Sequence, residues 1–366
     1  MAARREWLLA LSAGSCLVVY LLGDALWARL SSGPWLVLIF AWLFAAVLGS
    51  AISVVRHADR LAELLGEPYG TLILTLSVTV IEVMSISAVM LHGEQNPTLA
   101  RDTLFAVVMI ILNGMVGLSL FIGAWKHREQ TYNLQGANVY LGVAIPLIVL
   151  SLVLPDYTLT TPGPTLSAAQ KLFLIVVSVG LYAIFLVVQT GRHRHYFVTH
   201  REPAGGHHPA HRPPGRRSVP MHAALLIAHL LPALFLAEQL AHPIDYLIET
   251  LHAPPPVGGV IVALLVATPE AIGAVRAAMA NELQRSVNIF LGSILSTVSL
   301  TVPAMVLVSH FIGHNIVLGV QHTDLVMLLL TLTVSIVTFS SGRTNVVQGA
   351  VHLTLFAAYL LLIVQG

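Results

Sequence analysis

Long apolar runs recur along the whole chain, and they restrict its possible folds more than any other feature. Of the 366 residues, 56% are hydrophobic and only 10% are charged, whereas soluble domains carry about 25% charged residues. A helix needs about 20 apolar residues to cross a hydrocarbon core of about 30 Å. The sequence therefore predicts an all-α integral membrane protein with about eleven transmembrane helices. Ten helices are the alternative, because the loop around Gly342 that separates the last two runs is tight. The runs are 7–27, 34–54, 69–91, 101–124, 137–154, 167–189, 221–240, 257–280, 286–311, 323–340 and 344–364.

Basic residues in the loops predict the orientation of these helices, because cytoplasmic loops carry an excess of Lys and Arg. With the N-terminus inside, 14 basic residues fall in inner loops and 3 in outer loops, leaving Arg276 out of the count. We therefore expect a cytoplasmic N-terminus and, for eleven spans, a C-terminus on the outer side. The inner residues are Arg4, Arg5, Arg56, Arg60, Lys126, Arg128, Arg192, Arg194, Arg201, Arg212, Arg216, Arg217, Arg285 and Arg343, and the outer residues are Arg29, Arg101 and Lys171.

The longest break between apolar runs, residues 191–219, is rich in Arg, His, Pro and Gly. It has too few apolar residues to fold alone, so we predict a flexible cytoplasmic linker between two halves of the chain. The alternative is that its histidines bind a transition metal, since imidazole is a common metal ligand. These histidines are His193, His195, His200, His207, His208 and His211.

A charged stretch follows the second apolar run. Residues Arg56–Leu65 alternate charged and apolar side chains at helical spacing and carry too much charge to span a membrane. This pattern predicts a short interfacial helix that leads into the third span.

Two of the 17 acidic residues, Glu82 and Glu270, lie in the middle of predicted spans. A carboxylate at a helix centre in the bilayer costs about 2.5 to 3.5 kcal/mol even on lenient scales. Pro269 directly precedes Glu270 and removes one helical hydrogen bond, so the sequence predicts a broken helix there. A broken helix with an acid at the break is typical of a cation site in a transporter. The alternative is a carboxylate that is protonated in a contact between helices.

The two acids belong to matching segments. Glu82 follows Tyr69 by 13 residues and Glu270 follows Val257 by 13, which puts both about 20 Å into their spans. The two spans run in opposite directions, so the sequence predicts inverted repeats of five helices each, with the substrate bound between them. The predicted parts are an extra N-terminal helix (1–33), the first repeat (34–190), the linker (191–219) and the second repeat (220–366).

Two facing carboxylates carry a charge of −2, which one divalent cation, two monovalent cations or two protons can neutralise. Competition between protons and a metal ion for the same oxygens is itself an exchange mechanism. Calcium suits such a site because it takes six to eight oxygen ligands in flexible geometry. Candidate ligands beside Glu82 and Glu270 are Thr79, Asn113, Thr268, Asn288, Ser293 and Ser296. The alternative for each of the four hydroxyl residues is that its side chain bonds to the backbone of its own helix.

Several motifs together resemble the ChaA-type branch of the calcium/cation antiporter superfamily. This resemblance covers most of the chain and implies an inner-membrane antiporter of a bacterium with two inverted repeats. It also implies that Glu82 and Glu270 hold the cation, with Asn113 and Ser296 completing the site. The motifs are Gly66-Glu-Pro-Tyr-Gly70 with Glu82, Thr268-Pro-Glu270, Asn288-Ile-Phe-Leu-Gly-Ser-Ile-Leu-Ser-Thr297 and Ser341-Gly-Arg-Thr-Asn345.

The chain departs from the superfamily at two places. Many members have an Asn three residues before each acid, where this chain has Thr79 and Ala267. Several members carry an acidic stretch between the halves, where this chain has its Arg/His linker. The first departure leaves the choice between calcium and monovalent ions open, and the second removes the basis for calcium sensing by the linker.

The main hypothesis is a secondary active antiporter that exports cytoplasmic Ca²⁺ against inward proton flow by alternating access. The alternative is an Na⁺(K⁺)/H⁺ antiporter. An enzyme is disfavoured because His229 and His352, although mid-span, belong to no H-E-x-x-H or G-x-S-x-G motif. A channel is disfavoured because the chain carries its own two-fold repeat.

The expected partners are therefore cations, protons and the lipid bilayer. No cofactor is expected, and the single cysteine, Cys16, excludes a cysteine metal site within the chain. Nucleic acid is not expected either, because the basic residues are scattered over separate loops. The sequence does not predict an oligomeric state.

Overall fold

The chain folds into a bundle of long helices in a computed structural model, which describes residues 6–66, 69–91, 97–197, 218–313 and 316–365. Within these residues, ten helices are long and apolar enough to cross a membrane, and an eleventh, shorter helix is also apolar. They are α1 (Trp7–Trp27), α2 (Gly33–Leu65), α3 (Tyr69–Leu91), α4 (Leu99–His127), α5 (Leu134–Tyr157), α6 (Ala168–Arg192), α7 (Ser218–Gln239, continued by Ala241–Asp245 and Tyr246–Thr250), α8 (Pro256–Met279), α9 (Leu283–Ile312), α10 (His322–Thr338) and α11 (Val346–Gln365). The protein is therefore a multi-pass membrane protein, as the sequence predicts.

One end of the bundle gathers the loops that follow α4, α8 and α10. Tyr132 N donates to Gly342 O at 3.1 Å, and Gln130 Nε2 donates to Ala278 O at 2.9 Å. A two-residue antiparallel ladder, β1 (Gln130–Thr131) with β2 (Arg343–Thr344), ties two of these loops together. We call this the first end of the bundle. Because the helices alternate in direction, α1 also begins there.

The opposite end gathers the loops that precede α4, α6 and α10. Val317 N donates to Pro97 O at 2.9 Å, and Leu318 N donates to Pro164 O at 3.3 Å. Helix α10 therefore runs from this second end to the first end, although it has only 17 residues. At 1.5 Å per residue it is about 25 Å long, which allows it to cross the bundle. The structure thus favours eleven crossings in the described part of the chain over ten.

The charged stretch after the second apolar run is not a separate interfacial helix, so that prediction is wrong. Helix α2 continues through it without a break and has 33 residues. His57, Ala58 and Leu61 are buried there, and the apolar members of this set pack with Leu226 of α7. The helix continues because one face of the stretch stays apolar and finds a partner, while its charged residues lie on the other face.

The break predicted at Pro269 is also wrong. Helix α8 is a continuous α-helix that contains Pro269 in its interior. The proline removes one backbone donor. The hydroxyl of Thr268 donates to Leu264 O at 2.5 Å in the preceding turn. One missing bond does not end the helix, because the turns before and after Pro269 are packed against neighbouring helices through buried residues such as Val266, Ala267 and Ala274.

The predicted linker falls mostly outside the described residues, because the structure describes 191–197 and 218–219 but not the residues between them. Within the described part, Arg194–Tyr196 forms one 3₁₀ turn after α6. Phe197 then packs with Tyr140 at a ring-centroid distance of 5.4 Å.

Helices α8 and α4 approach so closely at Gly259 that a side chain does not fit. A Cβ placed there would lie 2.7 Å from both Asp102 C and Thr103 N, which are backbone atoms. By contrast, a Cβ at Gly142 or Gly180 would meet no atom within 4 Å. Small residues in membrane helices permit such close contacts between backbones.

We expect Gly259→Ala to destabilise the protein by about 1–3 kcal/mol, because overpacking forces the two backbones apart. Gly142→Ala and Gly180→Ala are the matched controls, and we expect them to be neutral or stabilising by up to about 1 kcal/mol. The measurement is thermal unfolding of the purified protein in detergent. Equal stability of all three variants would contradict the packing described here.

Candidate cation-binding site

Glu82 lies in the interior of α3 and is 2% exposed. Its Oε2 accepts a hydrogen bond from Thr301 Oγ1 at 2.5 Å and another from Thr297 Oγ1 at 3.2 Å. Its other oxygen, Oε1, is buried and has no hydrogen-bond partner among the described residues. A buried carboxylate oxygen without a partner is costly, so this oxygen is suited to a cation or a proton.

Glu270 lies in α8 and accepts a hydrogen bond from the hydroxyl of Ser293. Its side chain is partly exposed, unlike that of Glu82. Both acids accept hydrogen bonds from hydroxyls of one helix, α9. The two acids that the sequence singles out therefore lie against the same helix.

One face of α9 joins the two acids. Ser293, Thr297 and Thr301 follow each other at intervals of four residues, so their hydroxyls line the same side of the helix. Ser293 contacts Glu270, while Thr297 and Thr301 contact Glu82. Four residues of helix rise about 6 Å, so the contacts to the two acids are about one helical turn apart.

A π-helical turn forms the part of α9 that contacts Glu82. It spans Thr297–Thr301, and α4 has a π turn of its own at Ile110–Met115. The first lies 27 residues after Glu270 and the second 28 residues after Glu82, counted to the start of each turn. Single π turns within α-helices are frequent at functional sites, and here they stand at matching positions of the two predicted repeats.

Thr301 contacts Glu82 but is not among the ligands predicted from the sequence. The signal was present, because Ser293, Thr297 and Thr301 form a polar stripe at a spacing of four in an apolar span. The stripe points to a shared face, but it does not tell which acid that face meets.

The amides of Asn113 and Asn288 make other contacts. Asn113 Nδ2 donates to Thr331 Oγ1 at 2.8 Å, and its Oδ1 lies 3.3 Å from His352 Nδ1. Asn288 Nδ2 donates to Phe197 O at 2.6 Å, and its Oδ1 accepts from Gln284 at 2.9 Å. Neither amide bonds to Glu82 or Glu270 in the described part of the chain, so their role as ligands stays a prediction.

The three remaining predicted hydroxyls are not bonded to the acids either. Ser296 Oγ donates to Ser293 O at 2.9 Å, and Thr268 Oγ1 donates to Leu264 O at 2.5 Å. Both therefore satisfy backbone carbonyls of their own helices, as hydroxyls in helices commonly do. Thr79 is buried one turn before Glu82 on α3.

An exposed acid, Asp59 of α2, interacts electrostatically with Glu270. The nearby guanidinium of Arg285 attracts Asp59 in turn. Asp59 lies seven residues before Gly66, where α2 ends at the first end of the bundle.

The ligand atoms of this site are hard oxygens. Two carboxylates supply four oxygens, and the hydroxyls of Ser293, Thr297 and Thr301 add three more. Carboxylate and hydroxyl oxygens suit Ca²⁺, Mg²⁺ and alkali cations, whereas soft metals prefer sulfur and imidazole. The arrangement can therefore hold a hard cation or, in its absence, protons on the acids.

Comparison with known proteins places this geometry in a family. The family described as "Sodium/calcium exchanger protein" matches residues 35–191 and 221–365. The sodium-potassium/proton antiporter ChaA of Escherichia coli (strain K12) is 40% identical over 339 residues, which are 92% of each chain. The Ca²⁺/H⁺ antiporter ChaA of Bacillus subtilis (strain 168) is 24% identical over 328 residues, 88% of this chain and 90% of that one.

The fold is similar to solved structures as well. The structure of native YfkE superposes with a TM-score of 0.74 at 19% identity, covering 98% of this chain and 100% of that one. These matches cover both halves of the chain and both acids. The chain belongs to the sodium/calcium exchanger protein family, whose members are transporters and not enzymes.

Proposed function

We propose that this protein is a secondary active cation/proton antiporter in which Glu82 and Glu270 form one shared site. The observation that carries the proposal is the buried Oε1 of Glu82, which has no partner among the described residues and stands beside a second acid. Ser293, Thr297 and Thr301 would complete the site from α9. Oxygens of Thr79, Asn113, Thr268, Asn288 and Ser296 are additional predicted ligands that would need to change partners to join it.

The charge of the site supports exchange. Two ionised carboxylates in a low-dielectric interior repel each other and lose their hydration, so the site needs positive charge to be stable. A cation or protons supply this charge, and each excludes the other from the same oxygens. A transporter that switches the access of its site from one side to the other only when the two carboxylates are neutralised would therefore move cations in one direction and protons in the other.

Inverted repeats support alternating access as the transport mechanism. Helix α3 begins at the first end and α8 at the second end, and each carries its acid 13 residues after Tyr69 or Val257. We infer two repeats, 34–190 and 220–366, that meet at the acids and rock about them. The partial exposure of Glu270 supports a route from the site to the surface of the bundle.

Calcium is the cation that we propose first. The two carboxylates offer up to four hard oxygens, and Ca²⁺ accepts such oxygens together with a neighbouring hydroxyl and water in flexible geometry. A Bacillus subtilis relative is named a Ca²⁺/H⁺ antiporter. The second candidate is Na⁺ or K⁺, and the specific observation in its favour is the 40% identity to an Escherichia coli protein named a sodium-potassium/proton antiporter.

The proposed location is the inner membrane of a bacterium, with the first end of the bundle in the cytoplasm. The excess of basic residues in loops at that end supports this orientation. Because α11 runs from the first end to the second, the C-terminus would then lie in the periplasm.

We expect Glu82→Gln and Glu270→Gln each to abolish cation-dependent proton movement, because an amide cannot exchange a proton for a cation. The measurement is the collapse of an imposed proton gradient in everted vesicles on addition of CaCl₂, NaCl or KCl. Glu238→Gln is the matched control, since Glu238 is exposed on α7. Retained activity in both variants of the acidic pair would contradict the site, and the salt that collapses the gradient identifies the cation.

We expect Thr301→Val to raise the half-saturating cation concentration about 10-fold or more, because a hydrogen bond to a charged group is worth about 1.5–3 kcal/mol. Ser299→Ala is the control, because Ser299 lies in the same π turn and its buried hydroxyl has no partner among the described residues. The same vesicle assay, run over a series of cation concentrations, measures both. Equal shifts in the two variants would argue against a direct contact with Glu82.

We expect alkaline phosphatase fused after Gln365 to be active and green fluorescent protein fused there to be dark, because the C-terminus is proposed to be periplasmic. The same reporters fused at the N-terminus should give the opposite pattern. A fluorescent C-terminal fusion would contradict the eleven-span orientation.

A further inference from the structure

A second polar cluster lies where the start of α1 meets α2 and α7, and it contains none of the residues of the proposed transport site. His229 Nε2 lies 3.0 Å from Glu6 Oε2, and His57 Nε2 lies 3.4 Å from the same oxygen. One ligand atom of each side chain lies within 4.8 Å of the other two. His57 is 3% exposed and His229 is 0% exposed, so three separate helices bury these groups against each other.

We propose that Glu6, His57 and His229 form a binding site for a divalent transition metal ion, of which Zn²⁺ is the representative. Zn²⁺ binds imidazole nitrogen and carboxylate oxygen at about 2.0–2.2 Å in tetrahedral geometry, so its ligand atoms lie about 3.3 Å from each other. The two measured distances, 3.0 and 3.4 Å, lie near this value. Two imidazoles, one carboxylate and a water molecule are a common zinc ligand set.

A fourth residue, His222, orients one of the ligands. His57 Nδ1 lies 3.0 Å from His222 Nδ1, and the two rings are 5.3 Å apart. Ligating histidines generally use their second nitrogen in a hydrogen bond that fixes the ring. His222 is therefore a positioning residue that leaves His57 Nε2 directed at the carboxylate of Glu6.

The burial of His229 also favours a bound ion. The ring is 0% exposed, and its Nε2 meets the Glu6 carboxylate at 3.0 Å. An ion between these two atoms would bind both of them and link α7 to the start of α1.

Arg56 competes with the metal for Glu6. Its Nη2 lies 3.1 Å from Oε2 and 3.2 Å from Oε1 of that carboxylate. The Arg56 side chain is 36% exposed, so the guanidinium has room to turn toward water when a cation occupies Oε2. The ion would then replace a salt bridge by a link between α1, α2 and α7.

The site differs in chemistry from the proposed transport site. Imidazole nitrogens suit Zn²⁺, Co²⁺ and Ni²⁺, whereas the acidic pair offers hard oxygens. The inference therefore does not depend on the proposed function, and an ion held here would stabilise the folded protein by mass action.

The test is a Co²⁺ titration of the purified full-length protein without a polyhistidine tag, followed by the visible absorption of tetrahedral Co²⁺ and its loss on adding Zn²⁺. All proteins in the titration, the parent included, carry six substitutions so that the linker histidines do not bind the metal: His193→Asn, His195→Asn, His200→Asn, His207→Asn, His208→Asn and His211→Asn. We expect one Co²⁺ per chain. We expect Glu6→Gln and His229→Gln to weaken binding more than about 100-fold, and His222→Asn about 10-fold.

Two controls make the outcome decisive. His310→Gln should leave binding unchanged, because His310 is an exposed histidine on α9 near the second end. The double variant Glu82→Gln/Glu270→Gln should keep the Co²⁺ spectrum. Loss of the spectrum in that double variant would place the metal at the acidic pair and overturn the proposal.

Thermal unfolding supplies a second readout. Zn²⁺ should raise the unfolding temperature of the parent but not that of Glu6→Gln. Glu6 is partly exposed, so this variant is informative even if His229→Gln does not fold. A Glu6→Gln protein that binds Co²⁺ as tightly as the parent would overturn the proposal.

Discussion

A carboxylate buried among membrane helices must be neutralised, and the bundle is arranged around two such groups. Glu82 is almost completely buried, and Glu270 is bonded to the same helix that supplies the hydroxyl donors of Glu82. The cost of such burial in an apolar medium is several kcal/mol for each charge. Hydroxyl donors of the surrounding helices offset part of this free-energy cost, and the exchanged ion has to offset the rest.

Helix α9 has a central role because it contacts both acids while α3 and α8 contribute only one acid each. Its hydroxyl stripe faces Glu270 at Ser293 and Glu82 at Thr297 and Thr301. The first repeat has a π turn at the matching position in α4, but its Asn113 bonds to α10 and α11. The two halves thus share the position of the π turn but differ in the side chains that they present there, so the set of ligands is asymmetric.

Much of this architecture could be predicted from the sequence, because exposing polar groups to lipid costs much free energy. The composition of each segment therefore decides by itself whether that segment can span the membrane. The long apolar runs predicted the helices, and the mid-span position of Glu82 and Glu270 singled out two acids that both contact α9. The errors arose where tertiary contacts decide the outcome. Pro269 did not break α8 because neighbouring helices hold it, and Arg56–Leu65 stayed in α2 because Leu226 covers its apolar face. The partners of Asn113 and Asn288 depend on helix packing that no single sequence reveals.

The helices differ widely in length, and this has a consequence for the surrounding lipid. Helix α10 has 17 residues and α2 has 33, which correspond to about 25 Å and 50 Å. Val326 and Val337, near the two ends of α10, are both 65% exposed, so the hydrophobic belt on that flank is short. The length of α10 is about 5 Å less than a hydrocarbon core of about 30 Å, and local thinning of the bilayer is one way to close such a mismatch. The free energy of the folded bundle in the membrane therefore depends on the acyl-chain length of the lipids around α10.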